Sequence, residues 1–261
     1  MATALITGAS SGIGESFAYA LARQNYALVL VARRRDRLEG VAARAKEIGA
    51  ASTEIVATDL ARSGAALELQ AHLSELRIEV DCLINNAGFG TTGRFDRLLL
   101  ARELEEIELN VTALVTLTRL FLPPMVERRR GTIINVASTA AFQPLPYMAT
   151  YAATKAFVLS FTEAIAAETA GTGLHILALC PGPVRTEFQA VARNEKGLVP
   201  SFVYLDADTV VKQALVAAAR GRSVRINGMM NAAGAVAARL LPRALVTAIA
   251  GRIYRNAGTA G

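Results

Sequence analysis

Residues 2–32 read ATALITGASSGIGESFAYALARQNYALVLVA. Ala2–Thr7 is a short apolar run with the length of a buried strand. Gly8–Gly14, GASSGIG, follows at once. Glu15–Gln24 then carries helical apolar spacing through Phe17 and Leu21. Tyr26–Ala32 is a second apolar run without polar alternation. Strands that are apolar on both faces, separated by a helix, belong to a parallel sheet covered on both sides. The glycine cluster has the spacing Thr7-Gly8-x3-Gly12-Ile13-Gly14. Between a strand and a helix, such glycines let the backbone turn sharply and approach a pyrophosphate. The helix that follows points its free N–H groups at the anion.

The same alternation continues along the chain. Helical stretches are expected at 34–48, ended by Gly49, and at 65–76. Strands are expected at 53–57, closed by Asp59-Leu60, and at 80–85 before Asn86-Ala87-Gly88. A long helical stretch over 95–122 is stopped by Pro123-Pro124. Strands at 131–137 and 174–179 flank a helix at 150–169. A helix at 206–220, capped by Asp206 or Asp208, precedes a short strand at 223–226. No repeat or interdomain linker interrupts the pattern. It predicts one Rossmann-like, doubly wound parallel sheet of about seven strands with helices on both faces. Residues 1–261 then form a single dinucleotide-binding and catalytic domain. The irregular span 184–205 has the length of a functional lid. Residues 229–261 are an apolar, helical C-terminal tail. Arg239, Pro242 and Arg243 interrupt it, which argues against a spanning helix of roughly twenty apolar residues. A helix packed on the domain or on a partner subunit is the favoured reading. An interfacial amphipathic helix, supported by Arg239, Arg243, Arg252 and Arg255, is the alternative.

Composition narrows the function classes. A 261-residue chain that is 52% hydrophobic buries a substantial core and is not disordered. The net charge of +6 raises nucleic acid as a partner. The basic groups are scattered in short runs such as Arg33–Arg35 and Arg128–Arg130, with no tryptophan, so nucleic acid is not expected. Cys82 and Cys180 sit in apolar runs and read as buried, inert thiols. His72 and His175 have no ligand-like spacing, so no metal site is expected. No signal segment is recognisable at the N-terminus, and a reducing cytoplasmic compartment fits.

A second stretch carries the chemistry. Ser138–Lys155 reads STAAFQPLPYMATYAATK. Tyr151 and Lys155, four apart on a helix, share one face. An adjacent ammonium favours the phenolate, which brings a tyrosine closer to proton transfer at neutral pH. Ser138, just past a strand, can meet the same substrate oxygen. At the end of the second strand, an acidic side chain would hold an adenosine ribose diol. Arg33 stands there instead, and a guanidinium suits a 2′-phosphate. Arg34 assists, Ser10 adds a hydroxyl, and Asp36 comes too late to be the diol ligand. The expected cofactor is therefore NADP(H) rather than NAD(H).

Four motifs now stand in one order: Thr7-Gly8-x3-Gly12-Ile13-Gly14, Asn85-Asn86-Ala87-Gly88, Ser138 with Tyr151-x3-Lys155, and Pro181-Gly182. Over about residues 2–226 the chain resembles the short-chain dehydrogenase/reductase family, in its NADP-preferring, reductase-like branch. The resemblance implies that Gly8, Ser10, Ser11, Gly12, Ile13 and Gly14 hold the pyrophosphate end of the cofactor. Asp59 and Leu60 would contact adenine, and Asn86, Ala87 and Gly88 would lie beside the adenosine. Pro181, Gly182, Val184 and Thr186 would frame the nicotinamide. It implies a catalytic set of Asn110, Ser138, Tyr151 and Lys155. Tyr151 would exchange the proton and Ser138 would polarise the substrate oxygen. Lys155 would lower the tyrosine and bind the nicotinamide ribose, and Asn110 would position a relay water. Gln143, Tyr147, Met148 and Phe188 are the candidate substrate contacts beside Ser138 and Tyr151, with loop packing the competing reading. Phe188, Phe202 and Tyr204 suggest an apolar carbonyl or alcohol substrate; thioester, steroid-like, sugar and xenobiotic carbonyls all stay open. A homodimer or homotetramer through the helices at 95–122 and 150–169 is implied. The competing function is a redox-sensing regulatory module that binds NADP(H) without turnover.

Overall fold

The first strand, β1 (Thr3–Thr7), is the hub of the sheet, pairing in parallel with β2 (Ala27–Ala32) on one side and β4 (Cys82–Asn85) on the other. With β3 (Ser52–Ala57), β5 (Gly131–Val136), β6 (Leu174–Cys180) and β7 (Val224–Ile226), the order is β3-β2-β1-β4-β5-β6-β7, all parallel. The computed structural model describes residues 1–187 and 204–258. Strand order reverses between β1 and β4. In a sheet of this kind the crevice at the carboxyl ends of those strands is where ligands bind.

Side-chain period explains the two covered faces. Ile6, Leu28, Ile84 and Ile134 point one way and pack against α1 (Gly12–Ala22), α2 (Arg35–Glu47) and α7 (Ala207–Ala219) through Phe17, Leu21, Leu38 and Val210. Leu5, Val29, Leu83 and Ile133 point the other way, onto α3 (Ala65–Glu75), α5 (Leu114–Glu127) and α6 (Ala149–Glu168). Alternate residues of a strand face opposite sides, so both parities must be apolar. Cys82 and Cys180 lie buried on β4 and β6 with β5 between them, and burial pushes each thiol up to about 12.

A polar ladder crosses this apolar layer. The Asn85 amide donates to Thr118 Oγ1 (3.1 Å) and to Asn135 Oδ1 (2.9 Å), and the Asn135 amide donates to Thr162 Oγ1 (3.0 Å). Asn135 is thus a fully buried link between β5 and α6. Most buried side-chain amides are hydrogen-bonded, as the three donations in this ladder are.

Three expectations change. Helix α1 starts at Gly12 rather than Glu15, so two motif glycines form its first turn. The stretch 95–122 is not one helix. It comprises a 3-10 turn at Phe95–Arg97, α4 (Leu100–Ile107), a π-turn at Glu108–Ala113, and α5. Pro123 and Pro124 do not stop α5, which runs to Glu127. Leu117, Phe121 and Met125, spaced one turn apart, are buried against the sheet and hold the helix past them. The tail forms α8 (Met229–Leu240) and α9 (Arg243–Gly258). Ala250 of α9 packs with Leu145, Met148 and Tyr151, so the tail is a wall of the site rather than an appendage. The expected lid is described only at its ends, where Val184 and Leu205 form a parallel bridge.

Candidate active site

The glycine loop is held by backbone crowding. Thr7 Oγ1 donates to Ile84 O and accepts from the N–H groups of Asn86 and Ala87, both at 3.0 Å. The Asn86 amide donates to the carbonyls of Thr7 (2.9 Å) and Gly8 (3.3 Å), fastening the end of β4 to the loop. A Cβ on Gly14 would lie 2.2 Å from Gly8 O, and one on Gly12, at φ +60°, would lie 2.9 Å from Thr186 Cγ2. Only glycine allows these approaches. The first-turn N–H groups of α1 carry no side-chain cap, and Ser11, at the N-cap, instead accepts from Arg34 (3.2 Å).

From this loop one cavity of about 460 Å³ runs to α6, within the usual range of ligand pockets. Gly8, Ser10, Ser11, Gly12, Ile13, Arg33, Arg34, Asp59, Leu60, Asn86, Ala87 and Gly88 line its first half. Ser138, Gln143, Met148, Tyr151, Lys155, Pro181, Gly182, Val184 and Thr186 line the second. The donor set fits a dinucleotide phosphate: uncapped amides, two serine hydroxyls and two guanidinium groups. Arg34 reaches Ser10 (3.3 Å), Ser11 and Glu187 (2.8 Å), whereas Arg33 leans toward Asp59 (3.8 Å) and Glu105 (3.6 Å). The neighbouring guanidinium of Arg34 holds the Glu187 carboxyl below its ordinary value.

Three expected residues stand elsewhere. Gly14 is under the loop, not on the cavity. Tyr147 has a left-handed backbone (φ 70°) and lines a separate groove with Arg94, Phe95 and Arg252. Phe188 lies outside the described residues. Asn110, in the π-turn, is behind the wall. Its side chain is committed to Phe89, accepting from the N–H (3.1 Å) and donating to the carbonyl (2.9 Å), with a further donation to Thr154 Oγ1 (3.1 Å). Asn110 therefore ties the chain after Gly88 to α6.

At the far end, Ser138 hydrogen-bonds the Tyr151 phenol and accepts from Ala140 N at 3.1 Å. Lys155 Nζ donates to Val136 O (2.8 Å) and stands 5.8 Å from the Tyr151 ring centroid. The expected lowering of the phenol by Lys155 does not prevail in the protein alone. Burial raises Tyr151 above the ordinary tyrosine value, and the Ser138 bond opposes it only in part. Burial also brings the Lys155 ammonium down to about 8. Desolvation acts on both charged forms and is the largest influence on each. Sequence reading missed Leu145 and Tyr254, which complete the cavity wall, and the buried carboxyls Glu103 and Glu106 behind it. The helical spacing of Glu103 and Glu106 gave no sign of burial, because their neighbours on α4 are charged.

Fold and site together define a nucleotide-dependent oxidoreductase. The chain matches the short chain dehydrogenase family over residues 2–197 and belongs to the short-chain dehydrogenase/reductase family. It is 32% identical to mouse (Mus musculus) 17-beta-hydroxysteroid dehydrogenase type 3 over 81% of this chain and 67% of that protein. A short-chain dehydrogenase from Sphingobium yanoikuyae, solved in complex with NADPH, is 36% identical with a TM-score of 0.82, covering 91% of this chain and 92% of that one. The bulky-bulky ketone specific alcohol dehydrogenase from Comamonas testosteroni is 30% identical with a TM-score of 0.78, covering 92% of each.

Proposed function

We propose that this chain interconverts a carbonyl and an alcohol on a bulky, apolar substrate, using NADP(H), with Tyr151 carrying the proton. The observation behind this reading is the convergence of Ser138, Tyr151 and Lys155 on a cavity that reaches the glycine loop. A bound NADP(H) would supply or accept the hydride at the nicotinamide ring. The uncapped turn of α1 and Ser10 would bind its phosphates, Arg33 and Arg34 its 2′-phosphate, and Asp59 and Leu60 its adenine. Pro181, Gly182, Val184 and Thr186 would frame the nicotinamide. Ser138 would hold the substrate oxygen beside the phenol. A phenol held high by burial keeps its proton at neutral pH, which suits donation to a developing alkoxide and favours reduction. Lys155 would hold the nicotinamide ribose and restore the proton to Tyr151. Leu145, Met148 and Tyr254 make the substrate end apolar. The steroid and bulky ketone named for two relatives agree with that surface.

The test is NADPH oxidation against bulky aromatic ketones, steroid ketones and 3-oxoacyl thioesters. Tyr151→Phe should abolish turnover while NADPH still binds; unchanged turnover would sink the mechanism. Arg33→Asp combined with Arg34→Asp should lower the NADPH over NADH preference, and an unmoved ratio would refute the 2′-phosphate assignment. A redox-sensing regulator, the alternative, would bind NADPH and turn over none of these substrates. We further propose a cytoplasmic homodimer. Leu100, Leu104 and Ile107 form an exposed apolar stripe on α4, and Phe157 is exposed on α6, the elements expected to pair.

A further inference from the structure

Behind the Tyr151 ring, the chain from Phe89 to Thr91 forms a strap. Asn110 grips it at Phe89, and Gly90 lies flat on the phenol: a Cβ there would meet Tyr151 Cδ2 at 2.8 Å. The other end is gripped by Glu106, which is fully buried on α4, one turn before Asn110. Glu106 Oε2 accepts from the Thr91 N–H (2.9 Å) and lies 3.0 Å from Thr91 Oγ1, while Oε1 has no hydrogen-bond partner among the described residues. Glu103, also buried, lies 2.6 Å from the same hydroxyl and bonds Thr150, the residue before Tyr151. Both carboxyls therefore converge on the one Thr91 hydroxyl.

We propose that Glu106 is a positioning residue of the proton-transfer site, holding the Gly90–Thr91 strap against the Tyr151 ring and setting the charge that faces Tyr151 and Lys155. This rests on Tyr151 as the proton carrier. Neither carboxyl lines the cavity, so Glu106 acts through the strap and through its field. The groups facing it are Glu103 on its own helix, and Tyr151 and Lys155 on α6. Burial pushes the Glu106 carboxyl up to about 7, with the Thr91 bonds and Lys155 opposing. Its anion raises both Tyr151 and Lys155, so its removal lowers both.

Two variants separate the clamp from the charge. Glu106→Gln keeps the size and an acceptor for the Thr91 N–H but removes the ionisable group. Its kcat against pH should shift to lower pH by about half a unit or more, with NADPH affinity unchanged. Glu106→Leu removes the clamp. Its kcat should fall about tenfold or more, with KM for NADPH unmoved, and exchange at the Gly90–Thr91 amides should accelerate. Thr91→Val, which deletes only the shared hydroxyl, should reproduce part of that loss and serves if the leucine variant does not fold. A Gln variant with an unmoved profile overturns the charge role. Strap amides as protected in the Leu and Val variants as in wild type overturn the clamp. Amide exchange reads the strap whatever the activity, so a failure of Tyr151 as proton carrier, seen as turnover in Tyr151→Phe, is distinguishable from a failure of the clamp.

Discussion

Gly90→Ala tests whether the placement of the Tyr151 ring governs the rate. Gly90 needs no left-handed backbone; it is glycine because the phenol lies on it. An added Cβ would stand 2.8 Å from Tyr151 Cδ2, 3.0 Å from Cγ and 3.3 Å from Cβ. Ordinary van der Waals contact begins near 3.4 Å, so ring and strap must part by about 0.6 Å. Tyr151 cannot retreat freely, since Ala140, Leu145, Met148 and Ala250 pack around it. Overpacking of this kind costs about 1–3 kcal/mol of stability. A proton carrier displaced by more than half an ångström should lose about 10- to 100-fold in kcat, given that a shift of roughly 1 Å can cost about 100-fold. The assay is steady-state NADPH oxidation with the best ketone, alongside a thermal melt and NADPH fluorescence titration. Gly90 does not line the cavity, so cofactor affinity should hold. A variant that melts cooperatively, binds NADPH and turns over at the wild-type kcat would refute the claim that ring position limits the reaction.

The remaining predictions use other parts of the fold. Lys155→Met should abolish turnover yet raise the melting temperature of the cofactor-free protein at neutral pH. Lys155 titrates near 8 in the fold against 10.5 when unfolded, so below pH 8 its buried charge costs on the order of 3 kcal/mol. That cost fades as pH rises from 8 to 10.5, and the advantage of the variant, followed by urea melts across that range, should fade with it. Leu117→Ala, in the core of α5 against the sheet, should destabilise by about 2–5 kcal/mol in denaturant titrations without changing KM for NADPH. Leu104→Lys, on the exposed stripe of α4, should convert a dimer to a monomer in light scattering; an unchanged mass places the interface elsewhere.

Much of the fold was legible because strand parity and glycine spacing are local properties. The seven parallel strands fall within a residue or two of the apolar runs in the sequence. Boundaries failed where packing overrode local signals. Pro123 and Pro124 are helix breakers by propensity, yet three buried side chains keep α5 intact past them. The π-turn at Asn110 has no sequence signature, since it only shifts the hydrogen-bond register within a helical run.

The cavity was similarly half legible. Gly8, Ser138, Tyr151 and Lys155 could be singled out because each motif places its chemistry within a few residues. That order and spacing by themselves determined a parallel α/β sheet with a nucleotide loop at one end and a tyrosine–lysine pair at the other. The tertiary structure decided how strongly burial acts on that pair, because desolvation depends on what packs around a group and not on its neighbours in the chain. It also decided that Tyr254, 103 residues beyond Tyr151, closes the site, and that Glu106, in a charged helix, lies dry beneath it. Both facts come from contacts between distant segments, which local sequence pattern does not encode.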